Sequence, residues 1–394
     1  RLQGGTLVEE GSVRNKIKIG DNSQIEVRDE SLKNVHVRGG RGGEILYLVD
    51  GMPVTHPIYG GRSVMDLDIV SVKDMEMLTG AFNAEYGQAQ SGVINITTRT
   101  GSDQLTGGLE LKMDNSGGLA NSFGERYASY YLGGSDPLTN SILPLLGLNL
   151  KRTGNFFISG NVNLTNTAFN NHRTRDNLDL AGISIPLRQN NNASFNAKLN
   201  YGLTENLDLV LSYFGSWKKW SSFDWAWKEV PNHLTEYARQ NNSANIRIKH
   251  TLSKSTFYNI NFGYLDVAYQ NSLEQRSPDD PFFWNYGIIN QDYSDTTYYS
   301  DYNAFVSQAA GTADSLLIVD NQIQQAQTDP LTGFITKQSY QNQWRDDHTK
   351  TFTLKGDITS QIHPEHLMKT GFTLQYHDLQ YIEIQDGGAT LSPY

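Results

Sequence analysis

Cysteine is absent. That excludes disulfide cross-links and thiolate metal sites, and it is compatible with an oxidising periplasm. Long apolar runs are missing too: nothing approaches the roughly 20 residues of a membrane-spanning helix, and the mean hydropathy is -0.50. A membrane is not thereby excluded, because barrel strands alternate lipid-facing and lumen-facing residues and each gives a weak hydropathy signal. Positive charge is scarce. Lys and Arg number 32 against 42 Asp and Glu, a net charge of -10, which argues against a nucleic-acid partner, since affinity there comes from neutralising phosphates. RGGRGG at 38–43 does not change this: it is a single copy with no helix after it to cradle a phosphate. No G-x-S-x-G, Walker A or kinase-type set is present, so no enzyme is expected. His363-Pro364-Glu365-His366 lacks the i, i+4 histidine spacing of a zincin helix and reads as a turn between strands. No signal peptide opens the chain, and Arg1 is expected at a mature end or an internal cut.

The residues from Asn34 to Gly101 organise the rest. Three short apolar runs, ILYLV at 45–49, MEML at 75–78 and GVINITT from Gly92, are separated by turns dense in Gly, Pro, Asn and Asp. This spacing predicts a small sheet with elaborate loops. Asp50-Gly51, directly after the first run, predicts a sharp turn, because Gly accepts positive φ and the Asp side chain can bond its own backbone.

LYLVDGMPV, then LTGAFNAEYGQAQSGVINITTRTG, resembles in order and spacing the second half of the plug domain of TonB-dependent outer-membrane receptors. The resemblance implies a small α+β plug at 34–103 inside a transmembrane antiparallel β-barrel at 104–394, with 1–33 a leader or the start of the plug region. It also implies that Arg38, Glu85 and Arg99 meet charged partners on the inner barrel wall, with Asp50, Gly51, Tyr86 and Gly87 belonging to the plug motif. Polar, hydrated plug contacts would let the plug move. In that family a short coupling segment, the TonB box, precedes the plug. Thr6-Leu7-Val8 is a candidate for it, against an ordinary strand or a flexible leader, and 16–27 has room for one or two strands.

From Gln104 the pattern becomes segments of about ten residues with strict alternation. Leu109, Leu111 and Met113 alternate with Glu110, Lys112 and Asp114; Phe195, Ala197, Leu199 and Tyr201 alternate with Asn196, Lys198 and Asn200. Similar segments lie near 126–133, 154–164, 207–213, 246–249, 258–264, 352–358 and 367–379, nine in all. A soluble sandwich has the same period. Charges in mid-strand and aromatics at the ends of the apolar rows favour the membrane, as do tight turns at 202–206, 253–255 and 361–366 alternating with long polar connections at 165–191, 217–242 and 268–348. With the plug exit in the periplasm, all three long loops lie outside; 134–153 is a long periplasmic connection. Nine is odd, an open edge in lipid leaves backbone groups unpaired, and Pro393 blocks further pairing. The chain is therefore expected to be an incomplete barrel, with roughly thirteen strands of a 22-stranded family barrel to follow.

The loop at 268–348 is rich in Tyr, Trp, Asp and Asn. Trp225, Trp227, Trp284 and Tyr286 are candidate ligand contacts, and Asp279, Asp280, Asp292 and Asp295 offer hard oxygen ligands to a loop-bound calcium. The competing reading is a solvated acidic loop. Trp217, Trp220, Trp225 and Trp227, placed just beyond the fifth strand, suit an interfacial belt as well as a binding surface. No other cofactor is expected. Two functions follow. In the first, a Gram-negative outer-membrane receptor binds a ligand at the surface and imports it with TonB-derived energy, its partners being outer-membrane lipid, the TonB complex and an unidentified ligand. In the second, a plugged barrel docks an envelope or surface protein as a structural subunit. A soluble β-rich binding module is the third alternative and predicts extraction without detergent.

Overall fold

A computed structural model of the chain describes it outside residues 1–5, 10–12, 20–22, 30–33, 38–39, 41–43, 58–64, 66, 80–83, 88, 115–122, 148–153, 167–174, 176, 181–182, 222, 273–286, 290–295, 299–316, 319–330, 333, 335–342 and 386–394. Strand β1 (Thr6–Glu9) pairs antiparallel with β4 (Asn34–Val37), and β2 (Val13–Ile19) with β3 (Ser23–Asp29). Thr6-Leu7-Val8 thus lies in a paired strand, the ordinary alternative of the two weighed above.

Next come β5 (Ile45–Val49), β6 (Met52–Pro53), β7 (Val72–Thr79) and β8 (Gly92–Thr98), a sheet in the order β6-β5-β8-β7. Strands β5 and β8 are parallel, the other pairs antiparallel. A strand in a parallel pair is covered on both faces and reads as a continuous apolar run, and all five residues of ILYLV are buried. Ile45, Tyr47 and Val49 pack on one side with Val54 and Ile94; Leu46, Leu48 and Val93 pack on the other. Among the described plug residues the helical part of the expected α+β unit is confined to two 3-10 turns, Ile69–Ser71 and Ala84–Tyr86.

Nine strands form the wall: β9 (Thr106–Met113), β10 (Arg126–Ser135), β11 (Asn155–Thr165), β14 (Asn190–Gly202), β15 (Leu207–Ser221), β16 (Glu236–Ser253), β17 (Thr256–Ser272), β21 (Gln343–His363) and β22 (His366–Gln385). Each pairs antiparallel with its neighbours in this order. A small hairpin, β12 (Asn177–Leu180) and β13 (Ile183–Pro186), rises from the connection after β11. A second small sheet of β18 (Gly287–Ile289), β19 (Thr296–Tyr298) and β20 (Leu317–Ile318) rises after β17. The tight turns at 203–206, 254–255 and 364–365 share one end of the wall, and the connections after β9, β11, β15 and β17 lie at the other, so the short-turn end is periplasmic. Leu138–Leu145, two short helical turns begun by Thr139 N donating to Asp136 Oδ2 at 3.0 Å, fill the connection after β10 at that same end.

The two faces of the wall invert the soluble rule. Leu109, Leu111 and Met113 are 62–70 % exposed, and Ile260, Phe262, Leu354, Phe372 and Leu374 continue the exposed apolar rows, while Ser159, Lys198, Asn241, Asn261, Thr351 and Thr353 on the alternate face are buried. Polar residues face the plug and greasy ones face away from it, as in a lipid-embedded barrel and unlike a sandwich with a dry core. The strands also run further than the alternation foretold. A crossing needs about 9–11 residues, whereas β16, β21 and β22 have 18, 21 and 20. Beyond the lipid no apolar face is required, so the extensions carry no two-residue signal. One consequence is a correction: Trp217 and Trp220 lie inside β15, not beyond it.

Gly101 marks the passage from plug to wall. A Cβ there would sit 2.1 Å from the Phe156 carbonyl oxygen and 2.9 Å from that of Gly134, backbone atoms that cannot swing aside. Gly101→Ala is expected to destabilise by about 1–3 kcal/mol, the usual range for overpacking, read as a lower urea midpoint for the full-length protein. Gly87→Ala is the control, because a Cβ there meets nothing within 4 Å.

Candidate functional site

The Asp50-Gly51 turn is where the plug grips the wall. Both residues have positive φ, 50° and 79°, the backbone of a two-residue hairpin turn of the primed type. Asp tolerates this conformation better than most residues with a Cβ. The turn is held from within the plug: Thr98 N and Thr98 Oγ1 donate to Asp50 Oδ1 and Oδ2 at 3.0 and 2.6 Å, and Asp50 N donates to the Ile96 carbonyl at 2.8 Å.

From the wall, Lys198 Nζ on β14 donates to both Asp50 carboxylate oxygens at 3.0 Å and to Thr98 Oγ1 at 3.0 Å. The two side chains are 5 % and 7 % exposed. Arg247 on β16 donates through Nη2 to the Asp50 carbonyl and through Nε to Asn261 Oδ1 at 2.8 Å. A buried pair of this kind is stable only because further hydrogen bonds satisfy both charges, and Thr98 supplies them. A second link runs from Ser129 Oγ on β10 to Asp68 Oδ2 at 3.0 Å.

The expectation that plug contacts would be polar and hydrated holds only in part. Phe214, Leu265 and Val267 project from the wall into the apolar cluster that contains Val37, Ile45, Tyr47, Val49 and Ile94. All three are buried. The plug core needs a lid on the face of β5 away from Leu46 and Leu48, and the wall provides it.

The other foreseen plug residues lie elsewhere. Arg99 is exposed, and its Nε donates to the Val72 carbonyl at 3.2 Å, within the plug. Glu85 stands beside Tyr86 in their 3-10 turn. Burial, then the neighbouring Glu85 and Glu76, pushes the Tyr86 phenol above its ordinary pKa. Asp50 and Asp68 bond the wall, because the hairpin tip and the residue that opens the Ile69–Ser71 turn reach it. Arg38 lies outside the described residues, as do Trp284, Tyr286, Asp279, Asp280, Asp292 and Asp295. Among the described residues no group of three or more His, Cys, Asp or Glu could hold a metal ion.

Toward the extracellular end, Trp227 is 8 % exposed and packs with Val230 and Leu234 into a small core of its own. Its ring is therefore packing for the turn rather than open surface in this structure. Trp225 is 61 % exposed, in a turn capped by Asp224 Oδ1 accepting from Ala226 N at 2.8 Å. Further into the lumen, Arg345 Cζ lies 4.5 Å from the Tyr269 ring centroid and 5.1 Å from that of Tyr381, with Trp220 stacked on Tyr237 at 5.4 Å. Sequence reasoning missed this cation-aromatic wall, since its members are far apart in the chain.

Residues 22–94 match the TonB-dependent Receptor Plug Domain family model. Among known proteins, the TonB-dependent transporter Oar of Myxococcus xanthus is 35% identical over 75 residues, 19% of this chain and 7% of that protein. Among solved structures, the FrpB iron transporter from Neisseria meningitidis (F5-1 variant) is similar with a TM-score of 0.50 at 11% identity, over 89% of this chain and 44% of that one. The ferric yersiniabactin uptake receptor FyuA from Yersinia pestis gives 0.47 at 14% identity, over 98% of this chain and 55% of that one. The chain thus spans well under two thirds of the length of these relatives.

Proposed function

We propose that this chain, an outer-membrane protein carrying the plug of the TonB-dependent receptors against the inner face of a barrel wall, binds a ligand at the cell surface and imports it with energy drawn from TonB. The observation that carries the reading is the Asp50 contact. At this turn a folded plug meets the lumen wall through an ion pair and a guanidinium that can exchange partners if the plug is pulled, beside the Asp68–Ser129 link and the apolar patch of Phe214, Leu265 and Val267. The outward apolar rows leave the lumen as the only polar route past the lipid, and the plug lies across it. The exposed Trp225, fixed by the Trp227 core beneath it, is a landing face for a ligand with a planar or sugar-like surface.

The test uses the full-length protein in cells offered a panel of radiolabelled ferric siderophores, cobalamin, oligosaccharides and peptides. One class should accumulate, and collapse of the proton gradient should abolish accumulation while leaving surface binding intact. Accumulation that survives the collapse would overturn the reading. So would uptake of nothing in the panel together with stoichiometric co-purification of an envelope protein.

A further inference from the structure

On the periplasmic side of the Asp50-Gly51 turn, plug and wall border an open pocket of about 290 Å³ whose lining includes Asp50, Arg247, Lys249, Asn261, Lys355 and Asp357. Three of these are cations. Register puts Arg247, Asn261 and Lys355 in one row across β16, β17 and β21. Arg247 and Lys355 therefore flank Asn261 from strands about 10 Å apart, close enough for two long side chains to reach a common guest.

Neither cation has a carboxylate partner among the described residues. Arg247 donates to two neutral oxygens, those of Asn261 and the Asp50 backbone. The Asp50 carboxylate is taken by Lys198, and Asp357 accepts from Asn259 Nδ2 at 2.8 Å. Lys249 lies opposite Asp208 in register and over the Phe257 ring at 5.5 Å, so it adds less. A half-buried guanidinium facing a polar pocket without a counter-charge favours an anion, and its planar fork suits the paired oxygens of phosphate or carboxylate.

We propose that this pocket is an oxyanion seat, with Arg247 and Lys355 as its principal donors and Asn261 between them. At about 30 Å³ per water, the space holds a phosphate-sized ion with several waters. The oxyanion is either a free periplasmic ion or the anionic group of a ligand in transit.

Titration of the full-length, detergent-solubilised protein with inorganic phosphate in a calorimeter should give one saturable site. Binding should weaken at least tenfold in Lys355→Gln, whose side chain makes no bond to the plug, and in Arg247→Gln. It should be unchanged in Lys112→Gln, an exposed lumen lysine paired with Glu110. Unheated gel mobility confirms that each variant keeps its barrel. A second arm reads the reversal potential of the urea-opened pore in a planar bilayer under a salt gradient. Saturable phosphate binding lost in Lys355→Gln establishes a free-oxyanion seat. No saturation, but an anion preference of the pore that falls in Lys355→Gln, assigns the seat to a ligand's anionic group. Phosphate heat unchanged in Lys355→Gln, or neither signal in either arm, overturns the proposal and leaves gradient-driven uptake untouched.

Discussion

Asp50→Ala is expected to loosen the plug by about 3–5 kcal/mol, the range for removing one partner of a buried pair and leaving the other charge behind. Lys198 would keep only the Thr98 oxygens at a site where it is almost fully buried, and Thr98 N would lose its acceptor. Alanine at φ 50° adds strain of its own, roughly 1–2 kcal/mol. Asp50→Gly removes the side chain without that strain, so the difference between the two variants isolates it. Asp50→Asn should fall between wild type and glycine, since it keeps an acceptor for Thr98 N and loses the charge. The measurement is the urea concentration at which the full-length protein in a planar bilayer begins to conduct. A midpoint for Asp50→Gly equal to wild type would show that the plug is seated elsewhere.

That wall partner could not have been read from the sequence. Asp50-Gly51 announced its turn, because positive φ and a short acceptor side chain are local properties, and the turn is there. Lys198 and Arg247 lie 148 and 197 residues further on and were visible only as polar members of alternating strands. Nothing local distinguishes a lumen lysine that grips the plug from one that faces water. Arg99 drew attention through the motif, yet its side-chain bond to the Val72 carbonyl stays in the plug. The nine strands were legible because lipid forces apolar residues onto every second position. Their upper ends were not, since outside the lipid that constraint lapses, and Trp220 passed for a loop residue for the same reason.

In the proposed import, the mixed character of the plug seat bears on how a path would open. Phe214, Leu265 and Val267 are buried against the plug, and exposing a side chain of this kind costs about 1.5–3 kcal/mol. Removing the whole plug would give up this patch together with the Asp50 contact. Peeling the β5-β6 hairpin away from Lys198 would disturb the polar contact first and leave part of the patch in place. The geometry therefore favours partial remodelling that starts at the Asp50 turn.

Arginine placed on the outer face of β17 should be penalised according to depth. Ile260 lies in the middle of the exposed apolar row, with Ile248 and Gly356 opposite it on the neighbouring strands. Ile260→Arg is expected to cost about 2–4 kcal/mol, the figure for a cation at the bilayer midplane. Gln270, on the same face and near the extracellular end of the strand, donates to Asp346 Oδ1 at 3.1 Å. An arginine there reaches water and a carboxylate, so Gln270→Arg should cost about 0–1 kcal/mol. Tyr264→Arg, between them, should be intermediate. Urea unfolding of the full-length protein from lipid vesicles reads all three. A dry interior would penalise arginine wherever packing is tight, with no regular fall toward the strand end. Equal penalties at 260 and 270 would therefore mean that these rows do not face lipid.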